Sequence, residues 1–330
     1  MRRGRRVATA LVVALGMLTA CSGDAEPAPL GAAEPGTSPP LRVEPAGVVV
    51  TLDQQPEGMA YDEQTDILAV AVREPNRLLL IQGGTGEVLR TVELPGHARH
   101  LQMGGPGGPV LVPAEDSDTF VQVSLPDGTA TETEVGEYPH DAAQTASGLI
   151  MVADERGGTL SVLDGAEVVH RFLDVTQPGG VTAVGDVTAV IDVGAFTLTT
   201  YDVPAEEPLE RVAAGAGPTH IVADRRGGVV VADTRGNALL FFDLDPLAER
   251  VRLELEGTPY GIAYDERADL LWVTLTARNE LVGFDLSGTT AREVARLPTV
   301  RQPNTIAVDP DSGRVWVASR TTGELQTIDR

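Results

Sequence analysis

One seven-residue phrase recurs along most of this chain and limits what the chain can fold into. The phrase reads Pro-x-x, then an apolar residue, Ala or Val, another apolar residue and Asp, as at 56–62, 218–224, 259–265 and 303–309. Weaker copies begin at Pro139 and Pro178, and a degenerate one lies at 98–101. From Pro139 onward the copies are 39, 40, 41 and 44 residues apart, and 56 to 139 spans two units. The sequence therefore contains seven repeats.

Each repeat has room for four short strands. The Pro-led strand is followed by a second apolar run, a third strand that ends at an Asp turn, and a fourth strand that returns to the next phrase. A period of about 40 to 45 residues with four strands is typical of β-propeller blades. The seventh unit holds only three strands, and the spare run 48–52 directly precedes the first phrase. We predict an all-β, seven-bladed propeller over residues 45–330, closed by this N-terminal strand, which would remove the exposed sheet edges.

The N-terminus has the order of a secretory signal. Four Arg within residues 2–6 precede an apolar stretch over 7–18, and Leu-Thr-Ala then leads to Cys21, the only cysteine. This motif resembles the lipobox of bacterial lipoproteins, which implies a signal peptide at 1–20, lipidation of Cys21 and an extracytoplasmic position on the cell membrane. The Pro- and Ala-rich residues 21–44 predict a disordered linker.

Charge excludes one class of partner. The chain carries 48 acidic and 25 basic side chains, a formal net charge of −23. Such a surface repels phosphate backbones, so we expect no nucleic-acid partner. The charge suits an exported, soluble domain, which we expect to be a monomer.

The repeats from 45 to 330 resemble the YVTN and NHL families of propellers. The resemblance rests on phrases such as 303–308 followed by Arg-Val-Trp-Val-Ala at 314–318. It implies a propeller and leaves the function open, because propellers include hydrolases, lyases, sensors and scaffolds.

A candidate site follows from the repeat. The residues after each Pro enter the innermost strands, so in a propeller they converge at one mouth of the central channel. Three of the five His fall there, and the set offers imidazole, carboxylate, amide, phenol and guanidinium groups: Glu57, Arg99, His100, His140, Asp141, His220, Tyr260 and Asn304. These groups suit a small anionic or carbonyl-bearing ligand, or a divalent metal ion bound by Glu57, His100, His140 and His220. The alternative is structural: each His bonds a carbonyl of a neighbouring blade.

Two functions remain open at this stage. The first is a surface-anchored module that binds a small molecule or a protein at the channel mouth. The alternative is a metal-dependent hydrolase or lyase acting on a lactone-like substrate, because Glu57-Gly58 resembles the first-blade Glu of gluconolactonase-like enzymes and a channel His resembles the general base of streptogramin lyases. The sequence has no Gly-x-Ser-x-Gly motif, Cys21 is its only thiol, and two Trp are too few for a quinone-dependent propeller.

Overall fold

The computed structural model describes residues 31–330, so the predicted signal peptide and Cys21 lie outside it. Within this range 28 strands form seven four-stranded antiparallel sheets, and the predicted seven-bladed propeller is confirmed. No helix in residues 31–330 is long and apolar enough to cross a membrane.

The blades follow one another along the chain, each from its innermost to its outermost strand. Blade 1 contains β2 (Gln55–Asp62), β3 (Ile67–Arg73), β4 (Arg77–Gln82) and β5 (Val88–Glu93). Blade 2 contains β6 (Gln102–Met103), β7 (Val110–Ala114), β8 (Thr119–Val123) and β9 (Ala130–Glu134), with a 3₁₀ turn at Glu115–Ser117. Blade 3 contains β10 (Pro139–Gln144), β11 (Ile150–Asp154), β12 (Thr159–Asp164) and β13 (Glu167–Phe172).

The remaining blades repeat the pattern. Blade 4 contains β14 (Pro178–Val184), β15 (Val187–Asp192), β16 (Thr197–Asp202) and β17 (Glu207–Ala213). Blade 5 contains β18 (Pro218–Ala223), β19 (Val229–Asp233), β20 (Ala238–Leu244) and β21 (Leu247–Glu254). Blade 6 contains β22 (Pro259–Asp265), β23 (Leu270–Leu275), β24 (Glu280–Asp285) and β25 (Arg292–Pro298). Blade 7 contains β26 (Thr305–Val308), β27 (Val315–Ser319), β28 (Glu324–Ile328) and β1 (Val48–Thr51).

The N-terminal strand closes the ring as predicted. β1 pairs with β28 in antiparallel register, from Val48 opposite Thr327 to Thr51 opposite Glu324. Gln326 strengthens this junction: its Nε2 donates to the carbonyls of Ala46 and Pro298 at 2.7 and 3.1 Å. The chain thus joins its two ends by main-chain bonds and a buried amide.

The core lies between the blades. Seven hydrophobic clusters are present in the described chain, one for each pair of neighbouring blades. Alternate residues of one strand serve opposite interfaces, so Val229 and Val231 pack towards blade 4 while Val230 and Ala232 pack towards blade 6. Because both faces of each inner sheet are buried, the second strands read as unbroken apolar runs.

Acidic strand ends fix the loops at one mouth of the channel. Asp154, Asp192 and Asp233 each end a second strand and accept main-chain N–H bonds from the preceding loop. Such side-chain acceptors satisfy donors that a loop cannot pair by itself. The mouth loops are therefore held by the blades, and the side chains on them are pre-positioned.

The chain before β1 lies along this mouth. Residues 31–47 contain no strand or helix, but residues 31–40, here called the strap, are hydrogen-bonded to three blades. Arg235 donates to the carbonyl of Gly31 at 3.0 Å, and Gly36 N donates to Oγ1 of Thr276 at 2.8 Å. The part of the predicted linker that follows residue 30 is thus in contact with the propeller.

Candidate functional site

A cavity of about 490 Å³ opens at the mouth. Its wall includes six of the eight site residues predicted from the sequence: Glu57, Arg99, His100, His220, Tyr260 and Asn304. These residues come from blades 1, 2, 5, 6 and 7. The wall also includes Gln55, Gln302, Arg320, Thr321 and the strap residues Glu34, Pro35 and Thr37. The volume lies in the range of small-molecule sites, about 300–1,000 Å³.

Four rings form a row across the channel. The centroid of the His100 ring lies 4.5 Å from that of His140 and 4.6 Å from that of His220, which in turn lies 4.5 Å from Tyr260. The His100 and His220 planes differ by only 21°, so these two rings stack. The repeat therefore does bring the three His together, and the row separates the mouth from the channel below it.

Burial sets the charge of two of these His. Desolvation, together with the neighbouring charge of His140, lowers the pKa of His220 to about 3. Desolvation and the charges of His140 and His220 also hold the pKa of His100 well below its usual value. Both rings are accordingly neutral at physiological pH, and Nδ1 of His220 is a buried polar atom with no hydrogen-bond partner in residues 31–330.

Glu115 organises the polar side of the mouth, although it is outside the set of site residues predicted from the sequence. Its Oε1 lies 2.6 Å from Nδ1 of His140, and its Oε2 lies 2.6 Å from Nε2 of His97 and 3.0 Å from Nε of Arg99. Glu115 is fully buried, so it pairs three cationic or ionisable groups where water does not screen them.

Its neighbours keep Glu115 ionised. Burial alone would raise the pKa of Glu115, but hydrogen bonds from His140 and His97 and the charge of Arg99 outweigh it and lower that pKa far below the usual range. Burial would likewise lower the pKa of His140, yet the hydrogen bond and charge of Glu115 raise it. The buried Glu115–His140 pair therefore resembles the carboxylate–imidazole pairs that orient a general base.

A signal for Glu115 exists in the repeat. In five blades the residue at or just after the end of the second strand donates its N–H to the mouth loop: Glu115, Glu155, Val193, Thr234 and Thr276. Two adjacent blades carry an acidic residue there, and Oε2 of Glu155 lies 3.4 Å from the same His140 nitrogen. The residue that follows the second strand of each repeat therefore marks both Glu115 and Glu155 as candidates for the site.

The Glu57 carboxylate is paired with two arginines. Glu57 is buried, its carboxylate is bonded by Nε of Arg73, and Nη1 of Arg320 lies 3.0 Å from its Oε1. Main-chain N–H of Arg320 also donates to Oδ1 of Asn304 at 2.8 Å. Two guanidinium groups thus share one carboxylate at this side of the cavity, and Glu34 of the strap is the other acidic side chain in the cavity wall.

Asp141 lies below the row of rings and not in the mouth cavity. It lines a second cavity of about 320 Å³ within the channel, together with His100 and Gln102. Its carboxylate accepts from Gln102 Nε2 and from the main-chain N–H of Val181, both at 2.9 Å, and so joins blades 2, 3 and 4. Desolvation raises the pKa of Asp141 to about 6 despite these hydrogen bonds.

The four residues predicted as metal ligands do not form one ligand set. Glu57 faces Arg73 and Arg320, His140 bonds Glu115, and His100 and His220 stack on each other. Across residues 31–330 no group of three or more His, Cys, Asp or Glu is arranged to hold a metal ion. The arrangement instead presents guanidinium, imidazole, phenol and amide groups to a polar ligand.

Comparisons with solved structures show which fold this chain shares with known proteins. No family model matches the sequence, and no curated protein matches it either. Among solved structures, the chain is similar to a Kuenenia stuttgartiensis hydrazine synthase chain with a TM-score of 0.71 and 16% identity over 85% of this chain and 97% of that one. It is similar to a chain of a mitotic checkpoint complex (TM-score 0.75, 10% identity, 90% and 96% coverage) and to a streptogramin B lyase (0.71, 15%, 86% and 96%). These likenesses show a seven-bladed β-propeller.

Proposed function

We propose that this protein is a lipid-anchored, extracytoplasmic binding module that takes a small ligand with an anionic or carbonyl group at the channel mouth. The observation that supports this most is the cavity of about 490 Å³ with polar side chains from five blades. Convergent polar groups in a concave site of this size are typical of small-molecule binding.

Two arginines would provide the contacts to the ligand. The Arg99 side chain is 33% exposed and the Arg320 side chain 47% exposed, while the carboxylates that hold them, Glu115 and Glu57, are buried. A buried carboxylate fixes one edge of each guanidinium, and Nη2 of Arg99 also donates to the Tyr138 hydroxyl at 3.0 Å. The remaining N–H donors can bond an oxyanion. Tyr260 and Asn304 line the same cavity and add neutral hydrogen-bonding groups.

The membrane anchor is proposed from the sequence. The basic start, the apolar stretch and the small residues before Cys21 support export and lipidation. The formal net charge of −23 disfavours a nucleic-acid partner.

Ligand class is tested by thermal unfolding with a panel of small mono- and dicarboxylic acids and their amides. We expect at least one acid to raise the Tm of the wild type and of Arg267→Gln, an exposed arginine paired with Glu63 on the opposite face. The same acid should not raise the Tm of Arg320→Gln. A Tm that responds to no acid, or that responds equally in both variants, contradicts an anionic ligand at the mouth.

A second candidate function is a lactone-opening hydrolase or lyase, and the Glu115–His140 pair favours it. Because Glu115 occupies Nδ1 of His140, the other ring nitrogen is the one that meets a ligand in the adjoining cavity of about 260 Å³. As general base this nitrogen would remove a proton from water while the water oxygen adds to the lactone carbonyl carbon. The acyl–oxygen bond would then break, and the leaving alkoxide would take the proton back from the imidazolium to give a hydroxy acid. In a lyase it would remove a carbon-bound proton, and elimination would give acid and alkene.

Both reactions release an acid, so one assay covers them. Opening of δ-valerolactone, whose alkyl C–O bond allows either reaction, is followed with a pH indicator, with added Mg²⁺ and with chelator. For an enzyme, we expect His140→Gln to abolish turnover. His170→Gln should retain it, because His170 lies on the outer strand β13 beside Glu206. Turnover that survives in His140→Gln would exclude this residue as the base.

A further inference from the structure

The strap is fastened to the mouth at successive blades. Arg235 of blade 5 holds the carbonyl of Gly31, Thr276 beside blade 6 holds Gly36 N, and Gln302 beside blade 7 donates to the Gly36 carbonyl at 2.7 Å. Gln302 also accepts from Ser38 N at 2.9 Å. The first described residue of the chain is therefore fixed on the mouth face of the disc.

This attachment shortens the tether. Between Cys21 and Gly31 lie only ten residue steps. A fully extended chain covers about 3.3–3.6 Å per residue, so Gly31 cannot be more than about 35 Å from a lipidated Cys21. A free linker over the whole of 21–44 would allow roughly twice that distance.

The opposite face is hard to bring to the membrane. The inner strands β10 and β11 contain six and five residues, so the disc is about 20 Å thick at roughly 3.3 Å per residue. To turn over, the ten residues would have to pass round the rim and along this thickness, which uses most of their reach. Their shortest path leaves the mouth directly.

From this geometry we propose that the channel mouth faces the membrane that carries Cys21, so that the mouth takes its ligand from the layer next to the bilayer. The proposal rests on the lipid anchor proposed above. The space between the channel mouth and the bilayer would admit small molecules and lipid headgroups and would exclude a large soluble protein. The acidic surface, with a formal net charge of −23 for the chain, is repelled by an anionic leaflet and favours a water-filled gap over direct contact.

The test uses two matched positions in one blade. Glu137 is exposed in the loop before β10 on the mouth face, and Ala166 is exposed in the turn between β12 and β13 on the opposite face. Lipidation occupies the thiol of Cys21, so Glu137→Cys and Ala166→Cys each supply one reactive thiol for a fluorescent donor. The full-length lipidated proteins are placed in phosphatidylcholine vesicles with an acceptor on a fraction of the headgroups.

Energy transfer to the headgroups gives the orientation. We expect transfer from the Glu137→Cys donor to exceed that from the Ala166→Cys donor at least twofold, and insertion of twenty Gly-Ser residues before Gly31 to remove the difference. Equal transfer from both donors in vesicle-bound protein, or greater transfer from Ala166→Cys, overturns the proposal. If the protein does not float with the vesicles, the anchor itself is wrong, and that result is separate from the orientation.

Discussion

Nδ1 of His140 lies 2.6 Å from Oε1 of Glu115, in a pocket where the carboxylate is fully buried. The two residues belong to neighbouring blades, so this bond ties the end of β7 to the start of β10. The same carboxylate bonds Arg99 and His97, and its charge therefore affects both the stability of the mouth and the protonation of its His.

Replacing Glu115 should be costly. Glu115→Gln leaves Arg99 without its buried counter-ion, and breaking a buried pair costs about 3–5 kcal/mol. The pKa of His140 should fall, because the carboxylate that raises it is gone. Denaturant unfolding measures the first effect and an NMR titration of His140 the second. Glu155→Gln is the control, because Glu155 lies 3.4 Å from His140 and accepts a hydrogen bond from Gln177. If Glu155→Gln lowered the unfolding free energy as much as Glu115→Gln, the role assigned to Glu115 at the mouth would be contradicted.

The stacked His should differ in protonation. His140 should titrate above the usual His pKa, whereas the His100 and His220 rings should not take up a proton between pH 5 and 8. The reason is that Glu115 hydrogen-bonds His140 and offsets its desolvation, whereas the carboxylate beside His100, that of Asp141, is 3.8 Å away and its own pKa is raised. Two-dimensional NMR of protein with isotope-labelled His follows the protonation of all three rings. A titration midpoint near pH 6.5 for His220 would contradict the buried stacking of His100 and His220.

Asp141 should produce a defined window of pH dependence. Burial raises the pKa of Asp141 to about 6 in the folded state, against an ordinary value of 3.8. The folded state then binds more protons between these values, so the stability contributed by Asp141 is full below about 3.8 and is lost as the pH rises through about 6. Inside the window the slope approaches about 1.4 kcal/mol per pH unit.

The comparison that isolates this group is wild type against Asp141→Asn. The difference in unfolding free energy between them should shrink from pH 5 to 6.5 and stay constant from 6.5 to 8. A difference that is flat across the whole range would mean that the pKa of Asp141 is not raised.

Ring closure should depend on Gln326. This buried amide donates to Ala46 and Pro298 and accepts from Val300 N at 3.0 Å. Gln326→Ala leaves the Ala46 carbonyl and Val300 N–H without this partner, whereas the Pro298 carbonyl keeps its bond from Ala46 N at 2.9 Å. At about 1–3 kcal/mol for each stranded buried group, offset by relaxation, we expect a loss of about 2–4 kcal/mol and a Tm lower by about 3–7 °C. Gln122→Ala removes an exposed bond to Gly165 and should change stability by less than about 0.5 kcal/mol. Equal effects would contradict a special role for the junction.

The fold was predictable because its signals are periodic. Recurring Pro-led phrases and apolar runs reveal the blades, and the unpaired strand at 48–52 reveals the closure that β1 makes with β28. Position within the repeat also placed His100, His140 and His220 together.

What the sequence did not reveal depends on contacts between blades. The repeat marks the column that Glu115 occupies, but the bond from Glu115 to His140 crosses a blade interface and does not follow from either blade alone. Asp141 is next to His140 in sequence but points into the interior, because strand neighbours alternate in direction. The strap has no apolar period at all; its order comes from bonds to side chains such as Thr276 and Gln302, which composition does not show.

The strap has a mechanical consequence for the closed ring. β1 is the strand that joins the two ends of the chain, and it lies directly downstream of the strap. Any pull on the chain before Gly31 meets the hydrogen bonds to Arg235, Thr276 and Gln302 first. These bonds have to break before tension reaches the pairing of β1 with β28, so the strap protects the closure of the ring from a pull on the tether.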